Sequence, residues 1–321
     1  MTQTDSTIFY PTQKLTVPDE AVGQRIDNFL MGYWKGVPRS RVYRVLRKGE
    51  VRVNGGRKKP IYKLKSGDLL RLPPVRIEPQ GETEVPAGAW REIAQRILFE
   101  DERLLVINKP SGMAAHAGSG VPFGIAEAVH QHHCDGKRTE LVHRLDRETS
   151  GCLLLAKGRS VLNVLQDSFR QRETHKQYLA LLVGDLKGSR RVDLALQKTK
   201  LSGEAMVVVD EAGKSALSDF EPLAHYPWND RTLTLARVTI HTGRTHQIRV
   251  HARALGLPLL GDDKYGDERL NRDAKRQGLK RLFLHAESIR FPLEGQTLYF
   301  EAPLDADLEQ FINALPMRET P

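Results

Sequence analysis

His143-Arg-Leu-Asp-Arg-Glu-Thr-Ser-Gly-Cys-Leu-Leu-Leu-Ala156 joins a charged loop directly to an apolar run. The run from Gly151 to Ala156 shows no polar alternation, so it reads as a strand covered on both faces. A charged loop entering such a strand puts Asp146 at a strand edge, where a cleft can open. Working outward, 104–107, 178–183, 233–240 and 298–301 read as further buried or half-buried strands. Helical spacing is found at 124–133, 160–171, 245–255 and 305–315. Strands and helices do not alternate regularly, and no Gly-x-Gly-x-x-Gly or Gly-Lys-Ser/Thr loop occurs. A doubly wound nucleotide-binding sheet is therefore disfavoured, and the expected class is α+β with a mixed, mainly antiparallel sheet.

The 321 residues are too many for one small module. The net charge of +9 is unevenly placed. Residues 23–76 hold fifteen Lys and Arg against three acids, Asp27, Glu50 and Asp68, so the rest of the chain is slightly acidic. Concentrated charge of this kind points to nucleic acid as partner, although a charge run can also be a solvated face. In Ser40–Lys48, Val42, Val45 and Leu46 share one helical face and leave Arg41, Arg44 and Lys48 on another, with Arg47 beside them. Gly49 is placed to stop that helix, 51–53 can form a strand, Asn54-Gly55-Gly56 is a turn, and 63–72 can return as a second strand. The polar, Gly- and Pro-containing stretch after Arg76 reads as a linker. The expected division is 17–76 as a basic module, 77–91 as linker and 92–321 as the larger domain.

Several classes of function are disfavoured. No stretch approaches the ~18 apolar residues of a membrane span. The polar start, Met1 to Asp5, does not look like a secretory signal, so a cytoplasmic location is expected. Cys134 and Cys152 are read as reduced, and Cys152, inside an apolar run, as core rather than nucleophile. His130-Gln-His-His-Cys134 has the residue types of a metal site but lacks a second ligand group at a recognised spacing. His246 and His251 are five apart, not the i, i+4 pair of a zinc protease helix.

Four polar constellations remain: 143–151, Gly243-Arg-Thr-His-Gln-Ile-Arg-Val-His251, Lys176-Gln-Tyr-Leu-Ala180, and Gly261-Asp-Asp-Lys-Tyr-Gly266. By spacing alone each has two readings. Asp146 fits a turn cap or an arginine partner as well as a reactive carboxylate. Arg249 and His246 fit polar packing as well as chemistry. Tyr178 fits a core position, and the 261–266 loop fits a structural turn.

Resemblance narrows these choices. Arg25-Ile-Asp-Asn-Phe-Leu30, Ser40 through Asn54, and Lys65-Ser-Gly-Asp68 resemble the S4 RNA-binding fold. Asn108-Lys-Pro-Ser-Gly112, the 143–151 loop, 244–251 and Arg281-Leu-Phe-Leu-His-Ala286 resemble the RluA-type pseudouridine synthases. The resemblance, running from about Arg25 to Leu315, implies isomerisation of a uridine already in RNA. The N1–C1′ bond breaks, the uracil turns and C5 bonds to C1′. It implies Asp146 as the catalytic carboxylate and Arg249 as the cation that keeps it ionised. It further implies Tyr178 as the side chain whose aromatic face holds the uracil and whose phenol assists removal of the C5 proton, and Arg144 as the group filling the gap left by the extruded nucleotide. Leu282 and Leu284 are implied as lining of the uracil pocket or as plain core. No metal or cofactor is expected. The implied partner is large-subunit (23S) ribosomal RNA or its precursor, bound through Arg39, Arg41, Arg44, Arg47, Lys48 and Arg52, with no obligate protein partner. Three alternatives stay open: a synthase of the same family acting on another ribosomal or transfer RNA uridine, a non-catalytic RNA-binding assembly factor, and a metal-dependent hydrolase.

Overall fold

The structure is a computed structural model that describes residues 8–34, 36–77, 84–118, 121–133, 139–201 and 204–316. The polar start at 1–5, Cys134 and residues 78–83 of the expected linker lie outside the described residues. The chain divides into two compact units between Glu84 and Val85.

In the first unit, helices Ile26–Tyr33 and Arg39–Lys48 pack Ile26, Leu30, Val42, Val45 and Leu46 into a core with Trp34, Leu70 and Leu72. The strands run in the order Gln13–Thr16, Leu69–Leu72, Arg52–Val53, with a separate pair between Ile8–Tyr10 and Val75–Ile77. The unit therefore starts before the expected residue 17. Gly49 ends the second helix as its spacing predicts, at φ 71°, with Glu50 N–H returning to the Val45 carbonyl at 2.9 Å. The strand expected over 63–72 begins only at Leu69. The Asp68 carboxylate accepts Lys65 N–H, Asn54 Nδ2 and the Tyr62 hydroxyl at 2.8–3.0 Å, and so holds 65–68 as a turn.

The expected linker is too long at its C-terminal side. Ala87–Ala94 is a helix, and Val85 and Ile93 are buried in the second unit's core. Val85 N–H donates to Gln131 Oε1 at 2.8 Å, while its carbonyl meets His132 Nε2 at 3.0 Å. Val85 and Ile93, two apolar anchors eight residues apart, thus tie this segment to its domain.

Among the described residues, ten strands of the second unit form one sheet. Its path is Arg190–Asp193, Leu217–Trp228, Arg231–Ile240, His175–Val183, Leu284–Leu293, Ser150–Lys157, Leu104–Lys109 and Ile97–Glu100. Gln296–Glu301 adds to Leu284–Leu293, and Thr139–Leu141 to Ser150–Lys157. All these pairings are antiparallel except that of Leu284–Leu293 with Ser150–Lys157, so the sheet is mixed and mainly antiparallel, as expected. Both faces of the central strands are covered. Leu153 and Leu155 face a core shared with helices Ile125–His132 and Gln247–Ala254, whereas Cys152, Leu154 and Ala156 face helix Arg159–Gln171. That double burial is why the run after the 143–149 loop lacks alternation. Gly151, at φ 110°, lies against the Ala286 backbone where the two parallel strands meet, and a Cβ there would collide with it. The strand order sets Arg231–Ile240, His175–Val183, Leu284–Leu293 and Ser150–Lys157 side by side. Four stretches far apart in sequence therefore converge at one end of the sheet.

Candidate active site and RNA-binding surface

The 143–149 loop is pinned from below by the Asn108–Gly112 segment. Lys109 is fully buried, and its Nζ donates to the carbonyls of Pro110, Met113 and Arg147 at 2.7–3.0 Å. Burial pulls its ammonium down to about 7, and three acceptors match its three protons. Ser111 Oγ donates to the Glu148 carbonyl at 2.8 Å, and Gly112 N–H to that of Arg147 at 2.9 Å. Thr149 N–H closes a turn onto the Asp146 carbonyl at 3.1 Å. On the far side Arg281 bridges Ser150 Oγ at 2.6 Å and Asp305 at 2.8 Å. The loop is held largely through its main chain, with Leu145 and Thr149 buried beneath it and the Arg144 and Asp146 side chains left at the cleft.

Asp146 is half-buried in a cleft of about 100 Å³, lined also by Arg144, Tyr178, His246, Arg249 and Leu284. Among the described residues no side chain hydrogen-bonds or ion-pairs with its carboxylate. The simple readings as a turn cap or an arginine partner therefore do not describe the Asp146 side chain. Arg249 lines the cleft beside Asp146, but its hydrogen bonds go elsewhere. Arg249 forks onto Asp262 instead, Nε to Oδ2 at 2.8 Å and Nη2 to Oδ1 at 2.6 Å, with both side chains buried. Burial opposes both charges, yet the two-bond fork keeps the Asp262 carboxyl below and the Arg249 guanidinium above their ordinary values. Asp146 acts on Arg249 only as a nearby charge. Nη1 is left outside the fork, on a residue that lines the cleft.

Tyr178 sits where the pairing of His175–Val183 with Leu284–Leu293 slips between Gln177 and Leu179. Such a bulge re-aims a side chain, and here the ring lines the cleft. Burial, then the Asp146 charge, push its phenol above the ordinary value. The proton stays on, which favours an aromatic platform over a phenolate base. Leu284 lines the cleft, whereas Leu282 is packed in the core. Arg144 is exposed at the cleft.

Gln247 and His251 of the 243–251 stretch are bound up in the fold. Gln247 Oε1 accepts from Thr242 and Arg244, and its Nε2 donates to Leu217 and Ser218. His251 bridges Ser218 Oγ and the Leu194 carbonyl. Sequence reasoning assigned no role to Asp262, Tyr265, Lys109 or Arg281. The glycines bounding 261–266 were the available signal for the first two. Cys152 is buried, its thiol pushed up to about 12 by burial, so it is a core residue. His132 and His133 both stack on Trp90, and His133 bonds Glu100 at 2.7 Å. Among the described residues no three His, Cys, Asp or Glu side chains gather around a point where an ion could sit, and no helix is long and apolar enough to cross a membrane.

In the first unit, Arg44, Arg47 and Lys48 are exposed on the outer face of helix Arg39–Lys48. Arg41 is half-buried, with a buried Nε that meets no partner. Arg39 donates to the Tyr43 hydroxyl at 3.2 Å, and Arg52 to the Gly55 carbonyl at 3.1 Å. Arg57, Lys58 and Lys59, to which the sequence reading gave no role, border a hollow with Arg47, Tyr43 and Leu46.

Residues 103–254 match the family model described as RNA pseudouridylate synthase, and 24–70 that of the S4 domain. The chain is 47% identical to ribosomal large subunit pseudouridine synthase C of Pasteurella multocida (strain Pm70), over 94% of this chain and 93% of that one. It is 46% identical to the protein of the same name from Escherichia coli (strain K12), over 92% and 94%. Among solved structures, Human RNA Pseudouridylate Synthase Domain Containing 4 matches with a TM-score of 0.57 at 25% identity, over 72% of this chain and 97% of that one. Human RNA Pseudouridylate Synthase Domain Containing 1 matches with a TM-score of 0.58 at 25% identity, over 69% and 88%. With its residues matched by both family models and likeness along nearly its whole length, the chain belongs to the RNA pseudouridylate synthase family and carries an S4 domain at its N-terminal end.

Proposed function

We propose that this chain isomerises specific uridines to pseudouridine in large-subunit (23S) ribosomal RNA or its precursor, in the cytoplasm, with Asp146 as the reacting carboxylate. The observation that carries this reading is the Asp146 side chain, half-buried in the cleft and bound to no described residue. A carboxylate kept from internal partners keeps its lone pairs for substrate. The overall change is balanced within the nucleotide. N1–C1′ breaks, C5–C1′ forms, the C5 proton leaves and N1 gains one. Arg249 steadies negative charge at the cleft through Nη1 while Asp262 fixes its position. The Tyr178 ring and Leu284 offer an apolar surface to the turning uracil. Arg144, exposed beside the cleft, stacks in the gap left by the extruded nucleotide, offsetting part of the few kcal/mol that extrusion costs. The S4 domain supplies phosphate contacts through Arg44, Arg47 and Lys48, with Arg39, Arg41 and Arg52 as secondary contributors.

The test is incubation of the protein with unmodified large-subunit ribosomal RNA, followed by carbodiimide labelling and primer extension. The expected result is new stops with the wild type and at least about a 10³-fold slower reaction for Asp146→Asn, with RNA binding retained. Full activity in Asp146→Asn would remove the assignment. Stops in transfer RNA alone would redirect the substrate, and tight binding without stops in any RNA would favour the assembly-factor reading.

A further inference from the structure

His246 stands at the mouth of helix Gln247–Ala254 with φ 53° and ψ 22°. An L residue adopts this left-handed backbone only at a cost. The other described non-glycine residues with positive φ are Asn54, Arg172, Asn229 and Glu294. All five lie at a turn or helix end, and His246 differs from the other four in lining the Asp146 cleft. Strain kept at such a position calls for a side chain that needs to point one way.

That direction is set by the 261–266 loop, the sequence constellation left without a role. Tyr265 is buried and meets the His246 ring edge-on, with centroids 5.5 Å apart. Its hydroxyl accepts the Val207 N–H at 3.0 Å and lies 2.8 Å from His246 Nδ1. Burial raises the Tyr265 phenol above its ordinary value, so it keeps its proton. With one lone pair taken by Val207, that proton points to Nδ1. A neutral imidazole that accepts at Nδ1 carries its hydrogen on Nε2. Burial, only partly offset by the Asp146 charge, lowers the His246 pKa and so favours this neutral form. Among the described residues Nε2 meets no partner.

We infer that His246 is a substrate-contacting residue of this cleft, its Nε2–H donating a hydrogen bond to an oxygen of the target nucleotide, and that Tyr265 is the positioning residue that fixes its tautomer. The 261–266 loop thereby serves the site twice: Asp262 sets Arg249 and Tyr265 sets His246. Val207 lies on the strand Glu204–Val209, so the second chain of contacts also ties the Leu196–Leu201 and Glu204–Val209 hairpin to the cleft. The inference rests on the cleft being the place where uridine reacts.

Single-turnover isomerisation and RNA affinity would be measured for His246→Phe, His246→Gln and Tyr265→Phe beside Asp146→Asn, with ¹⁵N spectra of the histidine ring in wild type and Tyr265→Phe. The amide nitrogen of glutamine places a donor near the site of Nε2, whereas phenylalanine has none. His246→Phe should lose about tenfold or more in rate with affinity kept, His246→Gln should regain most of it, and Tyr265→Phe should fall between. The wild-type ring should show an unprotonated Nδ1 at neutral pH, and Tyr265→Phe a tautomer mixture. A proton on Nδ1 in the wild type, an active His246→Phe, or a glutamine variant no better than phenylalanine would overturn the inference. If Asp146→Asn is dead while His246→Phe is active, only the role of His246 fails; if Asp146→Asn is active, the reading of the cleft fails with it.

Discussion

Arginines do opposite work in the two units. On helix Arg39–Lys48 of the first, Arg44 and Arg47 reach into solvent, where no acid of that helix answers them. In the second, Arg249 is buried with both of its forked nitrogens on Asp262. An exposed cation interacts through a screened field and contributes affinity that salt can remove. A buried cation with a fixed partner contributes little net stability as a pair, but it cannot move, and position is what a reacting site requires. The same residue type is thus a loose contact in one place and a rigid fixture in the other.

The largest expected effect comes from breaking the rigid member. Asp262→Ala leaves the Arg249 charge buried without its partner, and chemical denaturation should show a loss of about 3–5 kcal/mol together with a slower isomerisation. A protein within about 1 kcal/mol of wild type would mean that Arg249 readily finds another anion, and the contrast between the two regions would shrink.

The loose member should respond differently. Arg44→Glu with Arg47→Glu is expected to weaken RNA binding by about tenfold or more and to flatten the dependence of log affinity on log salt by roughly 1 per lost contact, with the loss falling on KM rather than kcat. An unchanged salt slope, measured by titration across ionic strengths, would show that this helix face does not meet phosphate. Arg41 is the poorer target, because it is half-buried and its substitution would disturb the unit itself.

The effect that is smallest at neutral pH sharpens the picture of the loop that carries Asp146. The His143 ring stacks on Phe169, and its Nε2 accepts Leu154 N–H at 3.1 Å. Burial, with the Lys176 charge nearby, lowers its pKa from 6.5 to about 3. Below about pH 6.5 the unfolded chain takes up a proton that the folded chain refuses until about pH 3. Stability should therefore fall as pH drops through that window, and His143→Gln, which can still accept from Leu154, should flatten that part of the slope. A wild-type and variant pair with the same acid limb would place the His143 titration in solvent-like surroundings.

Much of the architecture was legible because periodicity and punctuation report local forces. The buried strands at 104–109 and 150–157 announced themselves as apolar runs, and Gly49 announced a helix end. The helix Glu268–Arg276 and the hairpin of 196–201 with 204–209 did not: the helix is almost wholly polar, the first hairpin strand is mixed, and the apolar second strand is mostly exposed, so their few buried residues reach distant partners. At the site, Asp146, Tyr178, Arg249 and Arg144 could be named from motifs, and they do line one cleft. The acid that holds Arg249 was not legible, because a buried charge pairs with whichever acid the fold brings nearest, and that acid is Asp262, in another loop.

The sequence by itself determined the α+β class, the basic character of the N-terminal unit and the set of side chains able to do chemistry, because composition and period are properties of neighbouring residues. Only the tertiary structure decided which of them face one another. The fold brought 146, 178, 246 and 249 together, left the Asp146 carboxylate without a partner among the described residues, gave Arg249 to Asp262 and set His246 against Tyr265. Such pairings follow from distances across a sheet, and spacing along the chain does not encode them.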